Sequence, residues 1–121
     1  MLLDVRKLIF SDDLLQQALL AHCKTEGKEV PNSPIQKIHF TPRPAGGSSL
    51  VVDFMTSNPK KPYELHLNET FVLTAMIMMC KCHSVPLPRD AVKILQATEQ
   101  GLAMIVSMKV KTNSPPQKVA I

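Results

Sequence analysis

Tyr63-Glu64-Leu65-His66-Leu67-Asn68-Glu69-Thr70-Phe71-Val72-Leu73-Thr74-Ala75-Met76-Ile77-Met78-Met79-Cys80 decides the fold, because its periodicity changes once, at Asn68. Tyr63, Leu65 and Leu67 alternate with Glu64 and His66, the pattern of a strand with one buried face. From Phe71 to Cys80 every residue but Thr74 is apolar, which reads as a helix. Asn68 is a good N-cap for it, and Glu69 sets a negative charge against the first-turn dipole. A helix that is apolar nearly all the way round needs burial on more than one side.

Upstream, two further short strands complete a meander. Ile38 and Phe40 alternate with Lys37, His39 and Thr41 over 35–41, and Leu50, Val52 and Phe54 share one face over 48–55. Pro42-Arg43-Pro44-Ala45-Gly46-Gly47 and Asn58-Pro59-Lys60-Lys61-Pro62 have the composition of turns. Before the meander, residues 2–10 read as a strand. Ser11 then caps a helix over 12–26 in which Leu14, Leu15, Ala18, Leu19 and His22 recur at helical spacing, with Gly27 as its stop. Val30–Pro34, with two prolines, is a linker.

Downstream, Val85-Pro86-Leu87-Pro88 is an extended connector to a hairpin over 91–98 and 102–110. Leu102, Met104, Val106, Met108 and Val110 make the cleanest alternating stripe in the chain, and Glu99-Gln100-Gly101 reads as a three-residue turn. The fold class is therefore α+β in two layers: strand, helix, three-stranded antiparallel meander, buried apolar helix, C-terminal β-hairpin. Residues 1–111 form a single domain and 112–121, with Pro115-Pro116, a flexible tail. Val119-Ala120-Ile121 could add a strand to a partner sheet, though three residues give little for that.

Composition bounds the function. A chain of 121 residues that is 45% hydrophobic can bury a core without disulfides or metal. With only 4% aromatics and no Trp, that core must be aliphatic, and seven Met residues supply adaptable packing. Three Cys without framework spacing suit a reducing compartment, so a soluble, cytoplasmic protein is expected. Asp4, Arg6 and Lys7 interrupt any leader, and the ten-residue apolar run is half a bilayer span, so no membrane is expected.

The chemistry-bearing residues do not assemble into a motif. Cys80-Lys81-Cys82-His83 and His22-Cys23 offer metal-ligand types, but one residue between paired cysteines is too few for a structural zinc site. Cys23 and Cys80 read as core residues, and His83 as a side chain at a helix C-terminus. In the meander, loop lengths place Lys37 opposite Asp53 and Asp53 opposite Glu64, with His39, Val51 and His66 in the neighbouring row. His39 and His66 are then about 9–10 Å apart, too far to share one metal or proton. Gly46-Gly47-Ser48-Ser49 precedes a strand, whereas a phosphate loop precedes a helix. No catalytic, metal or cofactor residue is assigned.

The helix–three strands–helix order coincides with that of double-stranded-RNA-binding domains in order alone. Asn68-Glu69-Thr70 stands where those domains carry lysines, so no resemblance follows. The net charge of +4 is spread evenly along the chain. Three expectations remain. The first is a small non-enzymatic interaction or regulatory module, self-associating as a homodimer or binding another protein. Its contacts would come from the sheet edges, the Arg43 loop and Val85–Arg89. The second is a nucleic-acid-binding domain using Lys37, Arg43, Lys60, Lys61 and Arg89. The third is a small metal protein or enzyme using the His, Cys and Asp residues.

Overall fold

The computed structural model describes residues 2–43, 47–58 and 60–110, so the tail assigned to 112–121 lies outside the described residues. The order is β1 (Leu2–Phe10), α1 (Asp12–Thr25), β2 (Ile35–Thr41), β3 (Ser49–Phe54), β4 (Tyr63–Asn68), α2 (Glu69–Cys82), β5 (Val92–Thr98) and β6 (Gly101–Val110). The strands form two antiparallel three-stranded sheets, β2-β3-β4 and β1-β6-β5. The first is the expected meander. The second joins the C-terminal hairpin to the N-terminal strand, a pairing across the whole chain that no local pattern announces.

Both helices start and stop as their residues direct. Ser11 Oγ accepts from the Leu14 amide at 3.3 Å, and Asn68 Oδ1 accepts from the Phe71 amide at 2.8 Å. At the other end, Lys28 N donates to Cys23 O at 2.9 Å and Val85 N to Cys80 O at 2.8 Å, the same closing bond on each helix. The residue that must turn left-handed is Gly27 in α1 but Ser84, at φ 57°, in α2.

The helices pack on each other and on the apolar faces of both sheets, with α2 touching β3, β4 and β5, and α1 touching β1 and β6. One continuous core results, in which Leu15 and Leu19 of α1 and Val72 and Met76 of α2 meet Leu50, Val52 and Phe54 of one sheet and Met104 and Val106 of the other. Such multi-sided burial is what an almost uniformly apolar helix requires. His22 is buried too, tilted against the Phe71 ring at 4.5 Å between centroids, while Lys28 Nζ lies 5.5 Å from the centroid of the same ring.

The last hairpin differs from expectation at its turn. Thr98 pairs with Gly101, so the loop is the two residues Glu99-Gln100 and Gly101 belongs to β6. Glycine is needed there because φ is +143° and a Cβ would collide with the carbonyl oxygen of Phe10 on the neighbouring strand.

Candidate interaction surface

In an antiparallel sheet directly opposed residues share a face. The register of β1-β6-β5 therefore sets Leu8, Met104 and Leu95 toward the helices, and Lys7, Ile105 and Ile94 away from them. The rows on either side add Val5 and Val92, Ile9, and Leu3 to the outward face. Leu3 and Val5 are each 55% exposed, Val92 63% and Ile94 51%. Among the described residues, six of the ten exposed large hydrophobics sit on β1 and β5. Clustered apolar exposure of this kind marks an interface far better than scattered single residues do.

An almost uniformly apolar α2 and the Leu102–Val110 stripe could be covered within the chain or by a second copy, and the chain covers them itself: Val72, Ala75, Met76 and Cys80 are buried, as are Leu102, Met104 and Val106. The uncovered apolar surface lies on β1, where Leu2, Leu3, Val5, Leu8 and Ile9 leave no clean alternation: an edge strand with apolar residues on both faces. Its register against β6 is unbroken from Leu2 to Phe10, it contains no proline, and among the described residues β6 is its single sheet neighbour. Beside it runs a mostly apolar cleft of ≈ 230 Å³ whose lining includes Leu8, Phe10, Leu14 and Met79, with Lys7 and His83 as its basic members.

The outer face of β2-β3-β4 is polar by contrast. Lys37 faces Asp53, Asp53 faces Glu64, and His39, Val51 and His66 form the next row, as the loop lengths predict. A bulge at Gln36 sets this register apart from the Ile35–Phe54 pair. Each histidine takes a carboxylate rather than the other histidine: His39 Nε2 lies 2.8 Å from Asp53 Oδ2, and His66 Nε2 3.2 Å from Glu64 Oε2. Asp53 Oδ1 is buried with no hydrogen-bond partner among the described residues. No group of three or more His, Cys, Asp or Glu among the described residues is placed to hold a metal ion. Cys23 and Cys80 are buried and Cys82 is exposed. Burial pushes both the Cys23 and Cys80 thiols up, and the Lys28 ammonium draws Cys23 part of the way back.

The glycine-rich loop does gather an anion, but the chain's own. Gly47 N and Ser48 N donate to Glu69 Oε2 at 3.1 and 3.0 Å, tying the loop to the first turn of α2. The basic candidates are not brought together. Lys37, Lys60 and Lys61 belong to the end of the meander where β3 leaves it, and Arg43 to the opposite end, beyond Thr41. Arg89 instead lines a cleft with Lys81 and Lys93, two cations the sequence reading did not single out. There the Lys93 ammonium is engaged by the carbonyls of Pro88 and Ala91 at 3.3 and 3.2 Å.

No described helix is long and apolar enough to cross a membrane. No protein-family model matches this chain, and neither the curated proteins nor the solved structures contain a significant match to it.

Proposed function

We propose that this chain is a non-enzymatic protein-interaction module whose working surface is the β1-β6-β5 sheet. The observation that carries the reading is the apolar outward face formed by Leu3, Val5, Ile9, Val92, Ile94 and Ile105, rows of one sheet that the helices leave uncovered. Burying such a face in a complex removes apolar area from water at roughly 25 cal/mol per Å². The basic residues favour this reading over nucleic-acid binding. Lys37, Lys60 and Lys61 are separated from Arg43 by the length of the meander, and Lys37 stands opposite a carboxylate. A phosphate backbone is gripped by clustered cations.

The test is site-specific photo-crosslinking in the cells that make the protein. A benzophenone side chain is placed at Leu3 on the apolar face and, for comparison, at Lys37 on the polar face of the other sheet. Discrete covalent adducts from Leu3, absent from Lys37, are expected. Equal or absent crosslinking at the two positions overturns the reading.

A further inference from the structure

We propose that one partner of this sheet is a second copy of this chain, paired antiparallel through the free edge of β1 so that two three-stranded sheets become one of six. The inference rests on the reading of this sheet as an interaction surface and adds a self-pairing that joins the two outward faces without covering them.

Three observations converge on β1. The first is the edge itself. Nine residues, Leu2–Phe10, pair with β6 without bulge or proline, leaving the other row of amides and carbonyls unpaired among the described residues. Exposed edges of that length are normally blunted by a bulge, a proline or a covering loop, because they template pairing with another chain.

The second is charge. If a two-fold axis stands perpendicular to the sheet, equivalent residues of both copies keep the same face, so the axis must pass through a residue. Through Asp4 it opposes two carboxylates, and through Arg6 two guanidinium groups. Through Val5 it sets Asp4 against the partner's Arg6 and Arg6 against the partner's Asp4, with Val5 meeting the partner's Val5. The strand is thus self-complementary in one register. Within one chain Asp4 and Arg6 make only an exposed contact at 3.4 Å, a class of ion pair that contributes little. Opposite charges directly across a strand pair add to the pairing, and like charges oppose it.

The third is shape. The same register places the partner's Leu2 opposite Leu8, on the face toward the helices. Leu2 is 57% exposed in the single chain. Leu8 borders the ≈ 230 Å³ cleft of Phe10, Leu14, Met79 and Val85. A largely exposed apolar side chain and a mostly apolar cleft that no described residue fills are therefore brought together twice, once on each side of the axis. The outward faces become continuous at the same time, with Leu3 beside the partner's Lys7, whose aliphatic stem can lie along it.

The experiment exchanges the charges. Wild type, Asp4→Arg, Arg6→Asp, the double variant carrying both changes, and an equimolar mixture of the two single variants are compared by sedimentation equilibrium and native mass spectrometry. Circular dichroism confirms that each is folded. A dimer is expected for wild type and for the double variant. Each single variant is expected to dissociate at least tenfold more readily, and the mixture to regain a heterodimer. A monomeric wild type overturns the inference, as does a dimer indifferent to both single changes or a mixture that gains nothing. The photo-crosslink at Leu3 separates this failure from failure of the underlying reading. An adduct of twice the chain mass belongs to the β1 pair. An adduct to a different protein keeps the interaction surface and removes the homodimer, and no adduct removes both.

Discussion

The backbone amide of Ser48 donates to the carboxylate of Glu69 at 3.0 Å, and Gly47 adds a second donor to the same oxygen at 3.1 Å. One side chain thus answers two loop amides and the dipole of α2 together. Ser48 is buried, so its amide has no ready substitute in water. Glu69→Ala is expected to cost about 1–3 kcal/mol in urea denaturation, the range for orphaning a buried donor. Glu69→Gln, which keeps an acceptor without the charge, recovers part of it.

The two helix ends provide an internal comparison. Gly27 and Ser84 occupy equivalent left-handed positions, but only the glycine adopts that conformation freely, and an L side chain there costs roughly 1–2 kcal/mol. Ser84→Gly is expected to stabilise the protein by about 1 kcal/mol, net of the entropy glycine adds to the unfolded chain. Gly27→Ala should lower stability by a similar amount. Paired thermal melts read both, and a destabilising Ser84→Gly would show that the serine hydroxyl holds a contact of its own.

Gly101→Ala should be far more damaging, on the order of 3 kcal/mol, because the strain of a positive φ is joined by collision with backbone. The Phe10 carbonyl cannot rotate away as a side-chain tip could, so β1 must move. Loss of β1 amide protection in hydrogen exchange, while β2-β3-β4 remains protected, is the specific signature.

The same position shows where the sequence was legible. Alternation, caps and prolines gave every strand and helix to within a residue or two, α2 running on to Cys82, and loop length gave the meander register, because those signals are local. Asn68 and Ser11 are read from their immediate neighbours. The pairing of Leu2 with Val110 is not, since nothing near either residue encodes the other. Hence Gly101 looked like a turn residue, when its need arises from Phe10, remote in sequence. The outward apolar face stayed hidden for the same reason: the pattern of α2 calls for burial, whereas only the packing reveals which side of β1 is left uncovered.

The thiols should divide two to one. Cys82 is exposed, and Cys23 and Cys80 are buried with their ionisation pushed up. A disulfide reagent at neutral pH is expected to titrate one thiol quickly and the remaining two only on unfolding. Because the folded thiols ionise less readily than in the unfolded chain, their contribution to stability is complete below about pH 9. It falls as pH rises through the raised folded values. Cys80→Ala should flatten that alkaline loss, and unchanged alkaline melts would place its cause in other groups.

The outward face of β1-β6-β5 should be nearly silent in folding, and that silence matters to the functional reading. Ile94 and Met104 sit on adjoining strands but on opposite faces, Ile94 51% exposed and Met104 fully buried. Met104→Ala should cost about 2–5 kcal/mol through lost transfer energy and the cavity left behind. Ile94→Lys, which removes nothing the single chain has buried, should stay within about 0.5 kcal/mol. Chemical denaturation of each variant at a concentration low enough to hold the chain monomeric makes the comparison. At higher concentration, Ile94→Lys should leave the β1-paired dimer intact, since Ile94 lies on β5, at the opposite edge of the sheet from β1. Its effect should instead appear where a further protein surface covers the joined six-stranded face. A core-sized penalty for Ile94→Lys in the monomer would mean that the face is already occupied within the chain, and the interaction reading would lose its surface.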